Sequence, residues 1–239
     1  MSPLAPRAPR ARELILGRLR IPWVIAGLII ASAVISIAGA IGARNQAGWI
    51  AEGSLLSVAE VWRGQLWRLV TWSLCEFSPL GLLFACLTIY WFGSDLARRW
   101  GDGRFLGFYF GVAAAAAAFT SILALLWTAL QGAVYAGSWA VLDATIVAWG
   151  LLYPAREIRL YGVLRLTGRH LVWLTFGLTL LFALFYGPAA FVPHFAAELL
   201  VFIWLGPLFG ALARRRQAAL QARAKNFDLQ RWIDNDRGR

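Results

Sequence analysis

Six apolar runs, at residues 21–41, 79–96, 105–126, 133–153, 171–192 and 194–213, limit what this chain can fold into. A helix rises about 1.5 Å per residue and a bilayer's hydrocarbon core is about 30 Å thick, so roughly 20 apolar residues make one crossing. Backbone in lipid must satisfy its own hydrogen bonds, and a run of that length does so as a helix. The sequence therefore predicts an all-α membrane protein with six transmembrane helices. Composition agrees: hydrophobic residues are 60% of 239 and charged residues 15%, and the mean hydropathy is +0.63. The stretch 54–74 is mixed, with Glu60, Arg63 and Arg68 among Val61, Leu66, Leu69 and Val70. It reads as one helix or two short ones in an interfacial first outer loop, with Trp62, Trp67 and Trp72 at headgroup level.

A net charge of +11 on a soluble chain would suggest nucleic acid, but the distribution of the cations argues against that partner. Arg7, Arg10, Arg12, Arg18 and Arg20 precede the first run, and Arg98, Arg99 and Arg104 join the second to the third. Arg156, Arg159, Arg165 and Arg169 join the fourth to the fifth, and a basic tail follows the sixth. The alternate loops are poor in cations. The positive-inside rule then places both termini in the cytoplasm of a multi-pass protein of a cell inner membrane or plasma membrane. The basic residues report topology and contact with anionic membrane lipids, and no nucleic acid is expected.

Three parts follow: a basic cytoplasmic segment at 1–20, a membrane domain at 21–213, and a basic amphipathic tail at 214–239. In the tail, Phe227, Leu229, Trp232 and Ile233 return toward the membrane surface or meet a cytosolic partner. Ala38-Gly39-Ala40 imitates a signal-peptidase site, but the apolar run before it exceeds a signal h-region and five more runs follow, so the first run reads as an uncleaved span. Cys75 and Cys86 read as packing residues. The chain has no metal-ligand spacing, and neither metal nor cofactor is expected. Gly103, Gly107 and Gly111, followed by the alanines 113–118, predict that the third span meets its neighbours at backbone distance, and Gly206 and Gly210 predict the same for the sixth.

Polar residues inside the runs are where chemistry can reside. Ser138 lies about 7 to 8 Å below the outer end of the fourth run, and His194 lies near the same level in the sixth. A histidine in hydrocarbon is costly and marks a functional site. If the two helices are neighbours, the imidazole can take the serine proton, the minimal base and nucleophile of acyl transfer. Glu198 falls one turn deeper on nearly the face of His194 and can orient it. Asp143, five residues after Ser138, is rotated by about 140° and aligns with Trp139 instead, which leaves it outside a triad with Ser138. The alternative is structural: a membrane serine bonds its own i−4 carbonyl, and buried carboxyls hydrogen-bond across helices. His170, beside Arg169, reads as interfacial.

The chain also resembles the rhomboid superfamily. The resemblance rests on Gly64-Gln65-Leu66-Trp67-Arg68-Leu69-Val70-Thr71, Leu82-Leu83-Phe84, Trp91-Phe92-Gly93 and Ala97-Arg98-Arg99-Trp100-Gly101. It continues through Trp149-Gly150-Leu151-Leu152-Tyr153-Pro154 and Arg156-Glu157-Ile158, and it covers roughly residues 55 to 213. It implies a six-helix rhomboid-like bundle and, in the family's proteases, a Ser-His dyad carried here by Ser138 and His194. Gly137 and Trp139 flank the serine as possible supporting groups, together with Glu198. The pattern departs from the family at Ala136 and Trp139 around the serine and at Ala197 and Val201 in the sixth helix. It departs also at Gly81 and Ala85, where the family has second-span His and Asn oxyanion donors. Losing one such donor costs about 2.7–4 kcal/mol of transition-state stabilisation.

Two functions are consistent with this. One is an intramembrane serine endopeptidase acting on transmembrane protein substrates. The other is a catalytically inactive rhomboid-like pseudoprotease binding client membrane proteins. A third, a transporter with Asp143 and Glu198 as a proton relay, lacks evident inverted repeats and broken helices.

Overall fold

The computed structural model describes residues 13–16, 19–45, 48–160 and 164–206. The expected tail 214–239, Gly210, the end of the sixth run and most of segment 1–20 lie outside the described residues. A hairpin opens the chain, with β1 (Glu13–Leu16) antiparallel to β2 (Leu19–Pro22) and Glu13 opposite Pro22. Pro22 ends the strand and caps α1 (Trp23–Arg44); without an N–H, proline suits a helix start.

The first long loop carries α2 (Trp49–Ser54), β3 (Leu56–Ser57), α3 (Val58–Trp62) and α4 (Arg68–Thr71). Its anchor is Arg68, only 8% exposed. The guanidinium donates to the carbonyls of Glu52 and Leu55 and to Gln65 Oε1. Trp62 and Trp67 are exposed, but Trp72 is buried and donates to the Leu69 carbonyl, so its ring faces the protein core and not the surroundings. Burying its ring in the core removes more apolar surface from water than an interfacial position would.

The second span is one rod, Pro79–Trp100, built from α5 (Pro79–Thr88), a π-helical turn (Ile89–Gly93) and α6 (Ser94–Trp100). Ser78 caps it by accepting from the Gly81 amide at 3.2 Å. A Cβ on Gly93 would lie 3.0 Å from both Ile25 Cδ1 and Phe105 Cζ, so glycine here lets α1 and the third helix close on the rod. That helix, α7 (Asp102–Leu123), is followed by β4 (Val134–Tyr135), which pairs with β3 (Leu56 opposite Tyr135), and by α8 (Trp139–Leu152). A second hairpin, β5 (Glu157–Leu160) and β6 (Leu164–Thr167), leads to α9 (Gly168–Tyr186). A 3₁₀ turn at Pro188–Phe191 then opens α10 (Val192–Leu205), with Gly206 as its C-cap.

Among the described residues, five helices are long and apolar enough to cross a membrane; α8, at 14 residues, is shorter. The fourth run, expected to be helical from residue 133, gives up its first residues to the β3–β4 pairing and to Gly137, whose φ of +98° breaks the helix. What remains is apolar on every side, the pattern of a central helix. Val141, Leu142, Ala144, Val147 and Ala148 are all fully buried. Around α8, α10 and α9 make the closest packing, and α10 also rests on α7.

The glycine stripe corrects the sequence reading. A Cβ on Gly103, Gly107 or Gly111 would meet nothing within 4 Å, so these glycines bring no neighbour close. It is Ala113, Ala116 and Ala117 that pack inward. Backbone-distance contact occurs instead between α8 and α9, where a Cβ on Gly168 would lie 2.3 Å from the Tyr153 carbonyl and one on Gly150 2.5 Å from the Gly168 carbonyl. Near this seam Arg156 pairs with Asp95 Oδ2 at 2.7 Å, Trp149 Nε1 donates to the same oxygen at 3.0 Å, and Arg156 lies over the Trp149 and Tyr153 rings. That group ties the end of the second span to the end of α8.

Candidate functional site

Ser138 stands at the N-cap of α8, just after the left-handed Gly137. Its carbonyl accepts from the Val141 and Leu142 amides. The residue is only 2% exposed, and its side chain makes no capping bond. The i−4 back-bond open to a membrane serine is made instead by Thr120, Ser121, Thr145 and Thr175. Among the described residues, no hydrogen bond joins Ser138 to His194.

His194, in the first turn of α10, faces a carboxylate. Its Nδ1 lies 2.8 Å from Asp143 Oδ2, with the two side chains 21% and 18% exposed. Phe191 packs on the ring at 5.0 Å between centroids. With the carboxylate as acceptor, Nδ1 is the donor of this bond. The carboxylate expected to orient His194 was Glu198, and here the structure differs. Glu198 is fully buried and accepts from Thr179 Oγ1 on α9, while its Oε2 has no hydrogen-bond partner. Asp143 takes the place beside the imidazole because both α8 and α10 begin at the same end of the bundle. The fifth residue of one and the third of the other thus fall at similar depth. That shared depth was the signal in the sequence for the pairing. The 140° rotation from Ser138, which kept Asp143 out of a triad, is also what turns it toward α10.

Asp143 and His194 line a cavity of about 520 Å³ bounded by the second span, α8, α9 and α10. Trp91, Phe92, Trp139 and Phe191 form aromatic parts of its wall, and Thr88, Thr175 and Thr179 supply hydroxyls. Neither Ser138 nor Glu198 lines it. Trp139, expected to align with Asp143, does share this cavity.

Sequence reasoning passed over Glu76, which lies between the first and second apolar runs. Its amide donates to Ser36 Oγ at 2.9 Å. Its carboxyl fills the space left by two glycines: a Cβ on Gly81 would lie 2.9 Å from Oε1, and one on Gly137 2.9 Å from Oε2. Burial raises its pKa above the ordinary carboxyl range, against the lowering effect of the Ser78 and Phe77 amides and the Trp139 indole. Oε2 has no partner within hydrogen-bond geometry. Gly81 is one of the two positions where the expected oxyanion donors are missing, and the other, Ala85, is buried in the core. A carboxyl thus stands beside the backbone that leads into Ser138. The same negative charge, after burial, raises the pKa of the buried Cys75 thiol.

His170 serves the start of α9: its Nδ1 accepts from the Thr167 amide while Thr167 Oγ1 accepts from the His170 amide, a reciprocal capping box. Among the described residues, no three His, Cys, Asp or Glu side chains gather in a way that could hold a metal ion.

Compared with known families, residues 21–210 match the model of the family described as eukaryotic integral membrane protein (DUF1751). No curated protein matches the chain. The family match spans most of the sequence, and the chain belongs to that family.

Proposed function

We propose that this member of the DUF1751 integral membrane family is a rhomboid-like pseudoprotease, which holds transmembrane segments of client proteins in the cavity between the second span, α8, α9 and α10 without cutting them. One observation carries the reading: the imidazole of His194 is engaged by Asp143 at the cavity wall, while Ser138 is buried off that wall. A segment in the cavity meets a histidine and a carboxylate but not the Ser138 hydroxyl. Electrostatics point the same way. Acyl transfer needs donors where an oxyanion develops, and the space next to Gly137 holds the carboxyl of Glu76. The reading includes six passes, with α8 as the short central one, and both termini in the cytoplasm. Membrane lipids are the surrounding partner.

A second reading keeps the protein as an intramembrane serine endopeptidase, with Ser138 attacking and His194 acting as base through Nε2. The 2.8 Å imidazole–carboxylate pair favours it, because a carboxylate on Nδ1 is what fixes the tautomer of a catalytic histidine. The two readings separate in one experiment. Purified protein and its Ser138→Ala variant are treated with a fluorophosphonate probe, then reconstituted with single-span substrates of low helix stability. The pseudoprotease reading expects no label on Ser138 and no cleavage, with the substrates photo-crosslinked to Trp91 or Leu178 positions. Ser138-dependent labelling and cleavage would overturn it in favour of the protease.

A further inference from the structure

We propose that the cavity selects client segments carrying a lysine or arginine inside the membrane span, with the cation seated on Asp143. This rests on the client-holding reading and names which clients it favours. Among the described residues, the wall of the cavity contains one carboxylate, Asp143, and no lysine or arginine. His194 engages Oδ2, and among the described residues nothing donates to Oδ1. The Asp143 side chain is 18% exposed, neither sealed in the core nor fully open. The imidazole occupies one oxygen of the carboxylate, which leaves the other to a donor from an occupant.

Phe191 packs on the His194 ring, and Trp91, Phe92 and Trp139 also line the cavity; aromatic faces attract cations. A volume of about 520 Å³ accommodates a few side chains from one face of a helix, not a whole helix. The occupant therefore inserts part of itself. A basic residue in a membrane span is costly in lipid and seeks a partner, and the cavity offers a carboxylate with an unused lone pair. An acidic client side chain would face like charge, and a purely apolar one would leave Oδ1 unpaired.

The test uses full-length protein in proteoliposomes with leucine-rich single-span peptides. These differ at one position, about a third of the way into the span, which is lysine, its uncharged isostere norleucine, or glutamate. Each carries a diazirine cross-linker one turn away. The expected result is a cross-linking yield for lysine about tenfold that for norleucine, the ratio that one charge-assisted hydrogen bond supplies. Glutamate should give the lowest yield. In Asp143→Asn, the lysine yield should fall to that of norleucine. Because the comparison of peptides is made in the unaltered protein, it does not depend on the variant folding.

Equal yields of lysine and norleucine peptide in the parent would overturn the inference while leaving client binding intact. A lysine preference that persists in Asp143→Asn would also overturn it, by placing the cation elsewhere. If no peptide cross-links at all, the client-holding reading falls and the inference falls with it. A lysine preference abolished on changing from phosphatidylglycerol to phosphatidylcholine vesicles would mark a choline headgroup as the occupant, against a client side chain.

Discussion

Glu76 is the residue whose behaviour should depend most directly on proton concentration. Its folded pKa is raised by burial above the ordinary value of about 4.5, so the folded protein holds this proton more tightly than the unfolded chain does. For a carboxyl shifted upward, stability is highest below the unfolded pKa. It declines as pH rises toward the folded pKa and levels off above it. Thermal unfolding in detergent micelles between about pH 4.5 and 8 should show a steeper fall for the parent than for Glu76→Gln. Identical profiles would mean that the carboxyl is not buried as described. A second residue-scale contrast lies among the glycines. Gly168→Ala and Gly150→Ala press a methyl into backbone and should each cost about 1–3 kcal/mol, seen as a lower melting temperature. Gly107→Ala meets open space and should be neutral, or stabilising by roughly 0.5–1 kcal/mol through helix propensity. The i+4 spacing of Gly103, Gly107 and Gly111 announced small residues on one face of α7. It did not say which face, because an unbroken apolar helix has no polar side to fix its rotation.

Among the elements, the first long loop depends on a single side chain. Arg68 fastens α4 to the end of α2 and the start of β3 through two carbonyls and Gln65. Arg68→Ala should cost roughly 1.5–3 kcal/mol, the range for hydrogen bonds to a charged group. Arg68→Lys should recover only part of that, since an ammonium cannot reproduce the planar fork. Limited proteolysis of the loop, scored against melting temperature, distinguishes release of the loop from global destabilisation. The helices themselves were legible: five apolar runs correspond to helices long enough to cross a membrane, and the fourth run to the shorter α8. Their ends were less so. Residues 133–138 are apolar enough to continue α8, and only the pairing with Leu56–Ser57, a long-range contact, draws Val134 and Tyr135 out of it. The candidate site shows the same division. Depth along a helix placed His194, but its partner depended on which faces of α8 and α10 meet, and Asp143 rather than Ser138 or Glu198 stands there. Glu76 approaches Gly137 across some sixty residues of chain, a distance at which no local pattern operates.

At the scale of the molecule, the arrangement of charge predicts which loops share a side. With Cys75 and Cys86 replaced, Gln131→Cys should react with a membrane-impermeant maleimide on intact cells, and Arg104→Cys only after permeabilisation. The reverse pattern would invert the proposed topology.

A helix of 14 residues rises only about 21 Å, and α8 is shorter than α7 and α9, which have 22 and 19 residues. Before its first turn the chain is irregular, and its peptide groups need partners in the protein or in water. Tyr135, Gly137 and Ser138 are buried there, with the Glu76 carboxyl against Gly137, while Gln131, Gly132, Val134 and Ala136 are exposed.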